Sequence, residues 1–295
     1  MERRSAEPMI ELSCTVLVPN RLTSKLQGRK LLEIFMKHFP GHLLTSFGDS
    51  EPLSGRFGAS SLGAVLEAWG HLGFIAERVN PDVLLNVQFM VPSPKPKHSI
   101  IGLLRFQSET EEAFDSFDDF VLEVATVFEA DYAAAHILAE HELADRLDIL
   151  KTKPGSNVEY MNRRVQNEGF AKVLWGMTVL QHNSPKLMKC LPDLLWFTVF
   201  GRPYVTLFGR ERLLSTPAQQ VTELSNGAVA IKLTDRLDDT MTSWENFKVV
   251  RDRCKDHLGR TAFCVSSTVA ADARKTPQFQ FPIELYEPRI SDPHQ

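Results

Sequence analysis

The sequence predicts an α+β fold in which mixed, mostly antiparallel sheets pack against helices. Three observations carry this prediction. Residues 10–18 alternate apolar and polar side chains, which is the period of a β-strand. Residues 31–39 instead repeat large apolar side chains at helical spacing. Two β-rich runs flank Asn226-Gly227, a dipeptide that favours a tight antiparallel hairpin.

The first strand and helix follow from simple periodicity. Strand 10–18 places Cys14 and its even-numbered neighbours on one face and polar residues on the other, so we expect it to be half-buried. Pro40-Gly41 ends the helix that follows, because proline cannot continue a helix. The buried stripe of this helix is predicted to be Leu31, Ile34, Phe35 and Phe39.

Residues 48–63 carry Gly55, Gly58 and Gly63 and are predicted to be a flexible surface loop. A phosphate cradle is the alternative, but the lysine that follows the last glycine of a P-loop is absent here.

The rest of the first half continues the α+β pattern. Residues 83–91 and 99–106 are predicted strands, joined by a Pro-rich connection. The acidic stretch 108–120 then leads into a helix, and Ser116 with Asp119 resembles a capping pair. Residues 132–138 are assigned to a strand. The apolar face of the helix is predicted to be Phe117, Phe120, Val121, Val124 and Phe128.

The second half begins with an apolar run, 194–200, that suits a buried strand. Pro203 then starts a helix, which we expect to turn Tyr204, Leu207 and Phe208 toward the core. A hairpin over 221–234, a helix that ends at Gly259 and a closing strand over 262–265 complete this half.

The composition of the segments predicts the domain organisation. LLRF (103–106) and LLWF (194–197) each precede a helix, which suggests two similar halves. A polar segment without periodicity separates them, and the C-terminal tail contains four spaced prolines. The predicted units are an N-terminal α+β half (1–140), a connecting segment (141–190), a C-terminal α+β half (191–275) and an extended Pro-rich tail (276–295).

Length, charge and cysteine usage limit the classes of function. A chain of 295 residues can bury a large core, and its net charge of −4 gives no general attraction to nucleic acid or anionic membrane. The first twelve residues lack the apolar core of a secretory signal, so we expect no leader, and no apolar run is long enough to span a bilayer. Its four cysteines are widely spaced and carry no zinc-binding or redox motif. We therefore expect a cytoplasmic protein that binds neither nucleic acid nor membrane.

Motifs for covalent chemistry are absent from the sequence. There is no G-x-S-x-G nucleophile elbow and no Rossmann glycine fingerprint. His136 and His141 are five residues apart, which places them off a shared face of either a helix or a strand. We therefore predict no catalytic residue, no metal ligand and no cofactor, and expect that the protein is not an enzyme.

Three groups of residues remain as candidates for an interaction. The first is an acidic group without any lysine or arginine between its members, which would attract a basic partner or else serve as a solvated segment. Its members are Glu109, Glu111, Glu112, Asp115, Asp118 and Asp119. Arg202, Arg210 and Arg212 could bind an anion or pair locally. The aromatic set within 196–208 is assigned to the core.

Part of the C-terminal half resembles a known family of proteins. The pieces "LLWFTVFGRPYVTLFGRERLLSTPA", "VTELSNGAVAIKLT" and "FKVVRDRCKDHLGRTAF", within 192–263, resemble bacterial immunity proteins of polymorphic toxin and type VI secretion systems, closest to the immunity-protein-52-like group. The resemblance covers about a quarter of the chain. It implies a protein that binds one cognate toxin and occludes its active site, and it implies no catalytic residues. It also implies that the Phe-Gly and Gly-Arg-Pro corner builds the scaffold.

Two functions from different classes follow. The leading hypothesis is a cytoplasmic immunity protein whose partner is a cognate toxin protein, contacted by the acidic group and by residues 48–63. The alternative is an enzyme, a transferase or hydrolase, that acts on an anionic substrate through Arg202 and Arg210.

Overall fold

A computed structural model describes residues 10–19, 22–59, 62–70, 73–89, 99–108, 111–137, 191 and 193–263. The predicted Pro-rich connection, the connecting segment 141–190 and the tail 276–295 lie outside these residues. The domain boundaries therefore stay predictions.

One ten-stranded sheet runs through the described residues. Its strands are β1 (Ile10–Val18), β2 (Ser46–Gly48), β3 (Gly55–Arg56), β4 (Gly73–Val79), β5 (Asp82–Gln88), β6 (Ser99–Ser108), β7 (Tyr132–Ile137), β8 (Phe197–Phe200), β9 (Gln220–Glu223) and β10 (Val229–Lys232). Their order is β3-β2-β4-β5-β6-β1-β7-β8-β10-β9, and every pair of neighbours is antiparallel. The predicted α+β class, with mostly antiparallel pairing, is confirmed.

Seven α-helices accompany the sheet in the described part of the chain. They are α1 (Lys25–His38), α2 (Leu62–Glu67), α3 (Glu111–Val127), α4 (Arg202–Phe208), α5 (Arg210–Leu214), α6 (Asp239–Thr242) and α7 (Trp244–Leu258), with short 3₁₀ turns at Phe57–Ala59 and Arg260–Ala262.

Helices cover the centre of the sheet from both sides. Leu12 of β1 pairs with Phe106 of β6, whose ring packs against Phe39 at the end of α1 with centroids 4.5 Å apart. On the opposite face, His136 of β7 lies against Phe247 of α7, with ring centroids 5.7 Å apart. The α1 and α3 layer and the α7 layer thus lie on opposite faces.

Strand β1 is buried on both faces, so the predicted half-burial is wrong. Ser13 and Thr15 are buried as well as Cys14 and Val16. Strand β1 lies between β6 and β7 near the middle of the sheet, and both of its faces are covered there. The alternation of polar and apolar side chains therefore does not predict which of them are exposed.

Two local predictions also need correction. Residues 48–63, predicted to be a flexible surface loop, contain β3 and a 3₁₀ turn. Helix α3 begins at Glu111, so Ser116 lies inside it and cannot cap it. The closing strand predicted over 262–265 lies partly outside the described residues, and within them Phe263 forms an isolated parallel bridge with Leu191.

Other turn and cap predictions are confirmed. The hairpin of β9 and β10 turns at Gly227 with φ 80°, and α7 ends at Gly259 with φ 107°. Both values lie in the left-handed region that favours glycine. Pro203 stands at the start of α4, as predicted, and Tyr204 is buried. Leu207 is exposed instead, because the short α4 turns only part of its surface to the sheet.

Candidate functional site

The acidic group predicted to bind a partner lies at the start of α3. The backbone of Glu111, Glu112 and Asp115 forms the first turns of this helix, where negative charge is favoured by the helix dipole. Their side chains, and the whole of Glu109, lie outside the described atoms. Asp119 is exposed. Asp119 is therefore the member that the structure places in solvent.

Asp118 has an internal partner. Its Oδ2 lies 2.9 Å from Nζ of Lys232 in β10, and the side chains are only 14% and 18% exposed. The Lys232 ammonium also lies 5.0 Å from the ring centroid of Trp196, which adds a cation–π contact. This pair joins a helix of the first half to a strand of the second half.

Helices α1 and α3 pack against each other. The Phe35 ring contacts that of Phe120, and the Phe39 ring contacts that of Phe117, with centroids 6.2 Å and 6.0 Å apart. Glu123 of α3 accepts hydrogen bonds from neighbouring residues at the end of α1. The second half of α1 therefore lies beside residues 117–123 of α3.

The Glu123 carboxylate is held by two groups. Its Oε2 lies 2.6 Å from Nζ of Lys37 and 2.7 Å from Nε2 of His38. These hydrogen bonds, that of Lys37 first, lower the pKa of Glu123 below its ordinary value of 4.5.

The three arginines of the alternative site have different surroundings. Arg210 makes a two-pronged pair with Glu223 of β9, with Nε 2.6 Å from Oε1 and a second bond to Oε2. This bond raises the pKa of Arg210 and lowers the pKa of Glu223. Arg212 donates from Nε to the His257 carbonyl oxygen of α7 at 2.7 Å. Arg202 is exposed. The described contacts of Arg210 and Arg212 favour local pairing.

The Gly-Arg-Pro corner is built by a close approach of two backbones. The Gly201 amide donates to the Asp131 carbonyl oxygen at 2.9 Å. A Cβ at Gly201 would lie 2.1 Å from the carbonyl oxygen of Ala130. Only glycine fits this position, so Gly201 is a scaffold residue.

Sequence reasoning missed a buried charge cluster in the second half. Asp193 Oδ1 lies 2.9 Å from Nζ of Lys255, and Asp193 Oδ2 lies 3.4 Å from Nη1 of Arg251. The Arg251 guanidinium also stacks 5.0 Å from the ring centroid of Trp244. The cluster fastens α7 to the segment before β8. No periodic signal reveals it, because Asp193 lies about sixty residues before Arg251 and Lys255 along the chain and meets them only in the fold.

Three side chains of reactive types, Cys14, Cys254 and His136, are buried in the fold. Burial raises the pKa of the Cys14 thiol to about 12 and the pKa of the Cys254 thiol to about 11. His136 is buried, and its Nδ1 accepts the amide hydrogen of Trp196 at 3.2 Å. His141 lies outside the described residues.

The described residues contain no cluster of three or more His, Cys, Asp or Glu side chains arranged to hold a metal ion. Among the helices of the same residues, none is both long enough and apolar enough to cross a bilayer.

Comparisons with known proteins identify a fold and no family. No family model matches the chain. No curated protein matches it either. Among solved structures, the chain is similar to the T6SS protein PA0821 of Pseudomonas aeruginosa, with 13% sequence identity and a TM-score of 0.53. The likeness covers 86% of this chain and 73% of that one. At this identity it shows a shared fold only.

Proposed function

We propose that this chain is a T6SS immunity protein, which binds a cognate toxin and occludes its active site. The observation that carries the proposal is the likeness of fold to a T6SS protein over 86% of the chain. The sequence of 192–263, which resembles immunity proteins of such systems, supports it independently.

The chemistry of the described residues is compatible with a protein that acts by binding. Arg210 and Arg212 form hydrogen bonds with groups of their own chain, and Gly201 allows two backbone segments to approach closely. An inhibitor needs instead an exposed surface of about 800 Å² that complements its target.

The acidic start of α3 is the proposed toxin contact. Asp119 is exposed there, while Glu111 and Glu112 belong to the first turn. Negative side chains would steer a basic toxin surface into contact, as expected for a toxin that binds an anionic substrate. Asp118 is left out of this surface, because its carboxylate is bonded to Lys232.

The test is co-expression of this chain with a toxin from a neighbouring gene, with survival of the cells as the measurement. The triple variant Glu111→Lys, Glu112→Lys, Asp119→Lys should lose protection, with association slowed by about tenfold or more. Glu245→Lys is the matched control, since the Glu245 side chain is 81% exposed on α7. Full protection by the triple variant would show that this surface is wrong. Failure of the unchanged protein to bind that toxin would refute the proposed function itself.

A further inference from the structure

The outward face of α1 combines positive charge with exposed apolar side chains. Leu26 is 68% exposed and Met36 is 38% exposed, although proteins usually bury the side chains of leucine and methionine. They lie ten residues apart, or about 15 Å along the helix. The other exposed residues of this face are Lys25, Arg29, Lys30, Glu33 and Lys37.

The charge of this helix is opposite to that of the chain. Helix α1 contains four lysines and arginines and one glutamate, which gives it a net charge of +3, whereas the chain carries −4. Lys25 pairs with Glu67 at 2.5 Å, and Lys37 pairs with Glu123. Arg29 and Lys30 have no ion-pair partner among the described residues. Their charges are thus available at the centre of the face.

We propose that the outward face of α1 binds a partner protein whose surface places acidic side chains around an apolar patch. Leu26 and Met36 supply the apolar contact, and Arg29 and Lys30 supply the complementary charge. Methionine and arginine are enriched at protein interfaces, and opposite charges at the rim speed the encounter. A second copy of this chain is a poor occupant, because a two-fold contact would place Arg29 and Lys30 against their own copies.

The proposal deepens the proposed function, on which it rests where the partner is the toxin. The end of α1 lies beside residues 117–123 of α3, a stretch that includes the exposed Asp119, and Lys37 and His38 are bonded there to Glu123. One toxin could therefore contact both helices, meeting α3 with basic side chains and α1 with acidic ones.

Photo-crosslinking tests this face whatever the identity of the partner. The full chain, with p-benzoylphenylalanine at Leu26, is expressed in its native host and irradiated. The control carries the same group at Val249, which is 63% exposed on α7. We expect an adduct with another protein from position 26 and none from position 249. Mass spectrometry should place the crosslink in a segment of net negative charge.

Charge reversal then tests whether the positive side chains of α1 contribute to the contact. Introducing Arg29→Glu and Lys30→Glu into the chain with the crosslinker at position 26 should reduce the yield of the adduct by about tenfold or more. Introducing Lys248→Glu into the same chain should leave the yield unchanged. Thermal unfolding of each variant confirms that the fold is intact. The proposal is overturned if no adduct forms, if the adduct is with lipid or with another copy of this chain, or if charge reversal leaves it unchanged.

The outcomes separate this inference from the proposed function. If the unchanged chain neutralises the toxin but position 26 gives no charge-dependent adduct, the proposed function stands and this inference fails. If the unchanged chain does not bind the toxin but position 26 gives a charge-dependent adduct with another acidic protein, this inference stands and the proposed function fails.

Discussion

The ammonium of Lys232 lies 2.9 Å from the carboxylate of Asp118, and both side chains are largely shielded from water. Lys232 belongs to β10 and Asp118 to α3, so the contact joins elements 114 residues apart. The pair fixes the helix that carries the proposed toxin contact against the sheet. The stability of this surface and its function are therefore linked.

Breaking this pair should destabilise the protein. Asp118→Asn leaves the Lys232 ammonium shielded without its counter-charge, so we expect the free energy of unfolding to fall by roughly 3 kcal/mol. Denaturant titration measures the change. The control, Asp119→Asn, alters an exposed neighbour and should have little effect. Equal losses from the two variants would contradict a structural role for the pair.

Gly201→Ala should be severely destabilising. The new Cβ would meet the Ala130 carbonyl oxygen at 2.1 Å, so strands β7 and β8 must separate locally. We expect a loss of roughly 3 kcal/mol or more in the free energy of unfolding, or insoluble protein. Gly58→Ala is the matched control, because a Cβ there meets nothing within 4 Å. A stable Gly201→Ala variant would refute the close approach.

The hydrogen bonds of Glu123 predict a contribution to stability that depends on pH. Because the pKa of Glu123 is lowered in the folded state, its contribution is fully present above the ordinary value of 4.5 and is lost as the pH falls through the folded pKa. Glu123→Gln should remove this contribution, which is about 1 kcal/mol or less for a partly exposed group. The stability difference between wild type and variant should therefore shrink in acid. A difference independent of pH between about 6 and roughly 3 would contradict this.

The buried thiols should resist alkylation in the native state. With pKa values of about 12 and about 11, Cys14 and Cys254 hold almost no thiolate near neutral pH. Iodoacetamide followed by mass spectrometry should label both only after denaturation. Modification of Cys14 in the folded protein at the rate of a free thiol would show that β1 opens.

Local pattern predicted most of the elements and the buried faces of α1 and α3, but not the burial of β1 on both faces. The hairpin at Asn226-Gly227 and the start of α4 at Pro203 follow from backbone chemistry that acts within a few residues. The burial of Ser13 and Thr15 depends on β1 lying mid-sheet, which is a property of the assembled fold. Polarity along a strand predicts exposure only when one face remains open.

The candidate site stays a prediction, and the structure adds contacts of its residues that the sequence does not show. The acidic stretch indicated a surface at α3, whereas the internal pairing of Asp118 depends on a strand more than a hundred residues away. The same holds for Arg210, whose partner Glu223 belongs to the hairpin. Pairs of this kind join residues that are far apart in the sequence, so the local sequence around either residue does not predict them.

The central claim is that this protein acts by occupying a toxin and not by catalytic turnover. Titrating the purified toxin with the purified chain, while following toxin activity, tests it most directly. The account predicts that activity falls linearly and vanishes near one chain per toxin. Complete loss of activity at a small fraction of that ratio, or full activity at saturating chain, would contradict it.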